Sequence, residues 1–221
     1  IMFAIELISD AILPVHTSDS VQRVVERMAE FRVSHLPIVN EDQFLGLLSE
    51  GDLVNVIDNQ TEIGALGLSL VNPYVLSDQH IYDAIRLFYE QKLSVVPVLD
   101  HKKNYLGLIT INAMNGYFAK ITAVSQPGGI IVLEINNKNN SLAHMAQIVE
   151  SDNAQILSSY VYAHPDSTRM EVTLKVNKQD ISAIIATFLR YDYDIKATFN
   201  HTDDNDVSKD RYDSLMNYLN L

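Results

Sequence analysis

The first 125 or so residues of this chain carry one pattern twice, at a period of about 60 residues. The first copy reads LPVHTSDSVQRVVERMAEFRVSHLPIVNEDQFLGLLSEGDL from Leu13 to Leu53, and the second PYVLSDQHIYDAIRLFYEQKLSVVPVLDHKKNYLGLITINAM from Pro73 to Met114. Val21 aligns with Ile81, Pro37 with Pro97 and Gly46 with Gly107, so the second copy gains one residue in the loop ahead of the glycine. A slip of that size in a hairpin loop costs little. Two half-modules of one design are therefore expected, and this fixes the architecture before any single element is assigned.

Each copy has the same local logic. Asp19 or Ser20 can cap a helix whose apolar residues Val21, Val24, Val25, Met28 and Phe31 fall at helical spacing, and Ile81, Ala84, Ile85 and Phe88 repeat that spacing. One face of each helix is expected to be buried. Short apolar strands follow over 36–39 and 95–99, each turning through a polar loop into a second strand over 44–48 or 105–109. Those second strands run into helices expected over 50–58 and 112–120. A β-α-β-β-α unit leaves its sheet half covered, so two copies packing together complete the core.

The apolar-Pro-apolar strands HLPIV and VVPVL, each followed by a hairpin and then by GLLSEGD (Gly46 to Asp52) or GLITINA (Gly107 to Ala113), resemble the CBS domain. The resemblance spans roughly Ile5 to Ser125 and implies a tandem pair that binds an adenine nucleotide or related adenosine compound in the cleft between its copies. AMP, ADP, ATP and S-adenosylmethionine are the implied ligands, with no cofactor required. By the family pattern Asp52 is the ribose carboxylate and Ser49 the companion hydroxyl, while the adenine lies against the backbone around Pro14 and Val15 and the side of Leu36 and Pro37. The residue types suit that chemistry. A carboxylate can accept hydrogen bonds from both vicinal ribose hydroxyls, and a helix N-terminus offers free N–H groups to an anion. The same Ser–Asp pair, three residues apart where a strand becomes a helix, is also what an ordinary helix cap looks like.

The second copy departs from the pattern at one place. Thr110 keeps the hydroxyl, but Ala113 stands where the carboxylate belongs, so one competent site is expected, with the second cleft empty or put to another use. Cations for phosphate are available at Arg32 and His35 in the first copy and at Lys92, Lys102 and Lys103 in the second. Surface Arg and Lys are usually just solvated, and a lone His is usually structural.

After the turn signal QPGG, Gln126 to Gly129, the pattern changes. Strands are expected over 130–135, 156–162, 170–176 and 194–199, and helices over 142–149 and 181–189. The order βαββαβ is the split βαβ arrangement of ferredoxin-like folds, with His164 to Ser167 as the hairpin turn. With IVLEI before a polar loop and SLAHMAQIVES after it, residues 129–200 resemble the ACT domain. That resemblance implies amino-acid binding and edge-to-edge pairing between subunits, although Asn139 and Asn140 stand where amino-acid-binding members carry Pro-Gly. The acidic segment from His201 reads as a linker, since DDND lacks the glycine and distant glutamate of a calcium loop, and a last helix is expected over 211–221. The expected fold class is α+β: an α/β CBS-pair module over 1–125, a ferredoxin-like ACT-like domain over 129–200, and an acidic linker and helix over 201–221.

Composition narrows the function further. There is no cysteine, which removes disulfides, thiolate metal sites and cysteine nucleophiles. A net charge of −12 disfavours nucleic acid as a partner. No apolar run reaches the roughly 20 residues of a membrane span. Ile1 ahead of Met2 reads as a residue before the native start, and the N-terminus lacks the basic and apolar blocks of a secretory signal. The seven histidines form no HxxxH or HxH pair, and no catalytic or metal-binding residues are expected. The order CBS, CBS, ACT resembles acetoin-utilisation proteins of AcuB type. The expectation is a cytoplasmic regulatory ligand sensor, not an enzyme, acting as a homodimer with a regulated protein partner. A scaffold that only oligomerises is the alternative.

Overall fold

The computed structural model describes residues 3–135, 141–165 and 169–200, and the chain divides into two compact units, Ile1–Tyr117 and Phe118–Leu221. Helices and strands are mixed in both, so the α+β class holds.

In the first unit the repeat is plain. Helix α1 (Val21–Phe31) leads to strands β1 (His35–Asn40) and β2 (Gln43–Ser49) and the short helix α2 (Glu50–Leu53). In the second copy, strand β3 (Val75–Leu76), α3 (Ile81–Gln91), β4 (Val95–Leu99), β5 (Tyr105–Thr110) and α4 (Ile111–Ile121) follow the same path. β3 runs parallel to β4, and its counterpart in the first copy is a single parallel bridge from Val15 to Ile38. Ser20 caps α1 by accepting from the Arg23 N–H, and α1 and α3 both end on a left-handed residue, Arg32 at φ 53° and Lys92 at φ 55°. The turn ahead of each helix is closed in the same way: the Asp19 carboxylate accepts from the His16 N–H and the Gln79 side chain from the Leu76 N–H. Val15, Val24, Leu36, Ile38 and Leu48 share one core with Val75, Ala84, Val96, Val98 and Ile109, so neither half-module is finished without the other.

Two expectations need correction. The helix foreseen over 50–58 stops at Leu53. Gly51 and the β-branched Val54, Val56 and Ile57 are poor helix formers, and with Val54 and Ile57 exposed only Val56 packs on the core, which gives little reward for continuing the helix. Val25, assigned to the buried face of α1, is 45% exposed. The buried stripe is the narrower set Val21, Val24 and Met28.

The two glycines of the repeat have a physical role. The Ser9 N–H donates to the Leu108 carbonyl at 2.8 Å, and the Leu47 N–H donates to the Val71 carbonyl at 2.9 Å. The segment ahead of copy one thus pairs with β5, and the segment ahead of copy two pairs with β2. These crossed segments press on the strands. A Cβ at Gly46, φ +156°, would sit 2.6 Å from Leu70 Cβ, and one at Gly107, φ +151°, 2.4 Å from Ile8 Cγ2.

The second unit has strands β6 (Gly129–Ile135), β7 (Ile156–Ala163), β8 (Met170–Val176) and β9 (Asp194–Asn200), with helices α5 (Leu142–Ser151) and α6 (Ser182–Arg190). The sheet order is β7-β8-β6-β9, antiparallel throughout, as the βαββαβ order requires of a ferredoxin-like fold. Alternate residues of β6, Ile131, Leu133 and Ile135, share a core with Met145, Ile148 and Val149 of α5 and Ile184 and Phe188 of α6. Both helices therefore cover one face of the sheet. The Asn139–Asn140 loop, half of the expected turn, Asp166 and Ser167, and the segment from His201 with its expected helix lie outside the described residues.

Candidate functional site

The junction of β2 and α2 carries the pair singled out in the sequence. Ser49 is the N-cap of α2: its Oγ accepts from the Asp52 N–H at 3.3 Å, and its own N–H donates to Asp52 Oδ2 at 2.8 Å. The Ser49 hydroxyl also donates to Asp52 Oδ2, at 2.7 Å. This is a complete capping box, so the structural role of the pair is realised. Oδ1 of Asp52 keeps no protein partner among the described residues, and the side chain is exposed. In the second copy Thr110 Oγ1 accepts from the Ala113 N–H at 3.1 Å, and Ala113 has nothing to return.

His35 lies directly across the β1–β2 pair from Ser49. Its Nδ1 is 3.0 Å from Ser34 Oγ and 3.2 Å from Ser94 Oγ, and it accepts from the Ser94 N–H at 3.3 Å. The Ser34 N–H donates in turn to Ser94 Oγ at 3.0 Å. Burial holds the imidazole below its ordinary pKa, and the charge of Asp52 pulls part of the way back. His35 therefore faces the Asp52 carboxylate on one side and the second copy on the other. The equivalent residue of copy two is Val95, fully buried.

Beside this cluster an open groove of about 340 Å³ is lined by Val25, Met28, Arg32, Ser34, Glu50 and Ser94. That volume is at the lower end for small-molecule sites. The structure thus brings Arg32, His35, Ser49 and Asp52 to one region. Pro14, Val15, Leu36 and Pro37 also meet, but differently. The Val15 N–H donates to the Pro37 carbonyl at 2.9 Å, and the Val15 carbonyl accepts from Val39 at 2.8 Å. Val15 and Leu36 are wholly buried, so little of their surface is open to a base. Pro14 is half-buried, and its carbonyl takes Arg27 Nη1 at 2.8 Å. Thr110 pairs with Val95 in copy two. Lys102 and Lys103 sit at the far end of that hairpin, Lys103 against Tyr74, and Lys92 lies over the Tyr89 ring at 4.6 Å. Sequence reasoning missed Ser34, Ser94 and Glu50. The repeat itself held the signal for two of them, since Ser34 aligns with Ser94.

Residues 4–59 and 70–118 match the family model of the CBS domain. The first unit carries a CBS domain pair. Relatives with that likeness include the homoserine O-acetyltransferase of Methanosarcina acetivorans, 25% identical over 109 residues, which are 48% of this chain and 20% of that protein. The chain thus spans about a fifth of that curated relative. Among solved structures, a CBS domain pair/ACT domain protein from Thermotoga maritima is 19% identical with a TM-score of 0.48, covering 53% of this chain and 96% of that one. CBSX2 in complex with AMP is 21% identical with a TM-score of 0.46, covering 54% of this chain and 98% of that one. Among the described residues no helix is long and apolar enough to cross a membrane, and no cluster of His, Cys, Asp or Glu could hold a metal.

Proposed function

We propose that the CBS pair is a regulatory sensor with one adenosine site, in copy one. The observation that carries this reading is the asymmetry at the strand-to-helix junctions: Ser49 with a half-free Asp52 carboxylate in one copy, Thr110 with Ala113 in the other. Asp52 Oδ1 takes the ribose hydroxyls while Oδ2 stays in the capping box. Ser49 and Thr110 border the two clefts, and Arg32 with His35 faces the phosphates. The base lies by the half-buried Pro14, with Val15, Leu36 and Pro37 buried beneath it. Titration calorimetry with AMP, ADP, ATP and S-adenosylmethionine tests it. A single site per chain is expected, lost on Asp52→Ala, and the absence of binding at about millimolar ligand would end the adenosine reading.

The completed capping box favours a second reading, in which Ser49 and Asp52 only terminate a helix and the module is a scaffold. A scaffold shows no rise in melting temperature with any of those ligands, whereas a sensor gains stability from a ligand that binds only the folded state.

The order of the domains supports the rest of the proposal. Residues 1–125 act as the sensing module and 129–200 as an ACT-like output domain for a protein partner, in the cytoplasm and in carbon or acetoin metabolism, without turnover of the ligand. Homodimers form through β7. That edge strand, ILSSYVYA, has no charged residue, and Tyr160, Val161 and Tyr162 are about half exposed, whereas the opposite edge β9 carries Asp194 and Lys196. Val161→Lys is expected to give monomers in light scattering.

A further inference from the structure

The seam between the two copies is held at one point by a nitrogen lone pair. Ser94 presents a backbone N–H to His35 Nδ1 at 3.3 Å, and an N–H can only donate. Nδ1 must therefore be unprotonated, and the ring proton of neutral His35 sits on Nε2. The hydroxyls of Ser34 and Ser94 converge on the same nitrogen at 3.0 and 3.2 Å, and the Ser34 N–H to Ser94 Oγ bond closes the cluster across the seam. A proton on Nδ1 would set two N–H groups against each other. The hydroxyls can turn, but the amide cannot.

We propose that His35 is a proton-sensitive clasp between the copies, closed while the imidazole is neutral and released when Nδ1 takes a proton. The charged groups around it are few. On α2 stands Asp52, whose charge acts on His35. Glu50 and, at the end of α1, Arg32 line the groove that also takes in Ser34 and Ser94. β4 brings no charged side chain, and Lys92, two residues ahead of Ser94, is drawn to the Tyr89 ring. Burial disfavours the charged ring while Asp52 favours it, so anything that neutralises or withdraws Asp52 tightens the clasp. This assignment stands on the contacts of His35 with Ser34 and Ser94 and does not depend on the adenosine reading.

The sign of the pH effect follows. With its pKa lowered in the fold, His35 is protonated first in the unfolded chain, so its contribution is present above about pH 6.5 and is lost as the pH falls through the folded-state midpoint. Long-range proton–nitrogen spectra of the uniformly nitrogen-15-labelled full chain test this, with sequential assignment and His35→Gln identifying the signal. At about pH 7.5 the Nε2–H tautomer is expected, then a midpoint below 6.5 with the Ser94 amide resonance moving at the same midpoint. Melting temperature should fall over that range in the wild type, and that part of the fall should vanish in His35→Gln. An Nδ1–H tautomer, a midpoint at or above 6.5, or a Ser94 amide that ignores the transition overturns the clasp. The tautomer, the midpoint and the Ser94 shift are read in the wild type with His35 assigned through its neighbours, so they decide the matter even where His35→Gln fails to fold.

Discussion

Copy one closes its hairpin with His35 across from Ser49 and puts Asp52 on the next turn; copy two has Val95 across from Thr110 and Ala113 on the next turn. Around these positions the framework is the same. Pro37 and Pro97, Ser34 and Ser94, Gly46 and Gly107 occupy matching places, and both first helices end on a left-handed cationic residue. At the strand-to-helix junction the chemistry differs: His35 and Asp52, whose charge acts on His35, are replaced by the apolar Val95 and Ala113. A half-buried imidazole gains from partners, and Asp52 is one of the groups that act on it. With both residues exchanged together copy two holds neither the imidazole nor the carboxylate, and exchanging either alone would leave a mismatch.

The shared framework makes the first and largest prediction. Gly46→Ala and Gly107→Ala should each destabilise the protein by about 2–3 kcal/mol, because the added carbon meets a packed side chain where the backbone also resists a Cβ. Urea denaturation of the two variants measures it. Similar losses would confirm that both crossed segments press equally hard on their strands, and a loss at one glycine only would break the equivalence of the copies.

These glycines mark what was legible in the sequence. Their alignment was visible, and with it the hairpins, the order of elements and the place of the Ser49–Asp52 pair. Their cause was not, because the pressure on Gly46 comes from Leu70 and that on Gly107 from Ile8, in segments with no strand signal of their own. The end of α2 is also hidden: a run of Val54, Val56 and Ile57 reads as apolar periodicity, and only the fold shows that Val56 alone packs on the core while Val54 and Ile57 stay exposed. In the sequence His35 reads as a cation ahead of a strand. Its tie to Ser94, about 60 residues away, is a property of the seam, and a tertiary contact leaves no local trace beyond the repeated serine.

A second prediction concerns the hairpins. Copy one has Phe44 where copy two has Tyr105, and the Tyr105 hydroxyl is buried with no hydrogen-bond partner among the described residues. Burial pushes that phenol well above its ordinary pKa. Tyr105→Phe should therefore be neutral or stabilising by up to about 1 kcal/mol, since an orphaned polar group costs more than its removal. Calorimetric melting checks the sign, and clear destabilisation would mean that the hydroxyl has a partner in solution.

The smallest effect on stability is expected where the copies differ most in chemistry. Ala113→Asp gives copy two the carboxylate that copy one has, within reach of the Thr110 N–H, and a restored capping box should add about 0.5 kcal/mol. The informative readout is stoichiometry. If a carboxylate on this turn is all that the second cleft lacks, the variant should take up a second equivalent of whichever adenosine compound copy one binds. If the stability gain appears without a second equivalent, the carboxylate is necessary but the neighbouring polar residue is needed as well, because Val95 still offers no hydrogen bond where copy one has His35. Val95→His added to Ala113→Asp separates those cases. A single Val95→His should be the worse protein, with a buried imidazole and no carboxylate beside it, and adding Ala113→Asp should recover part of that loss.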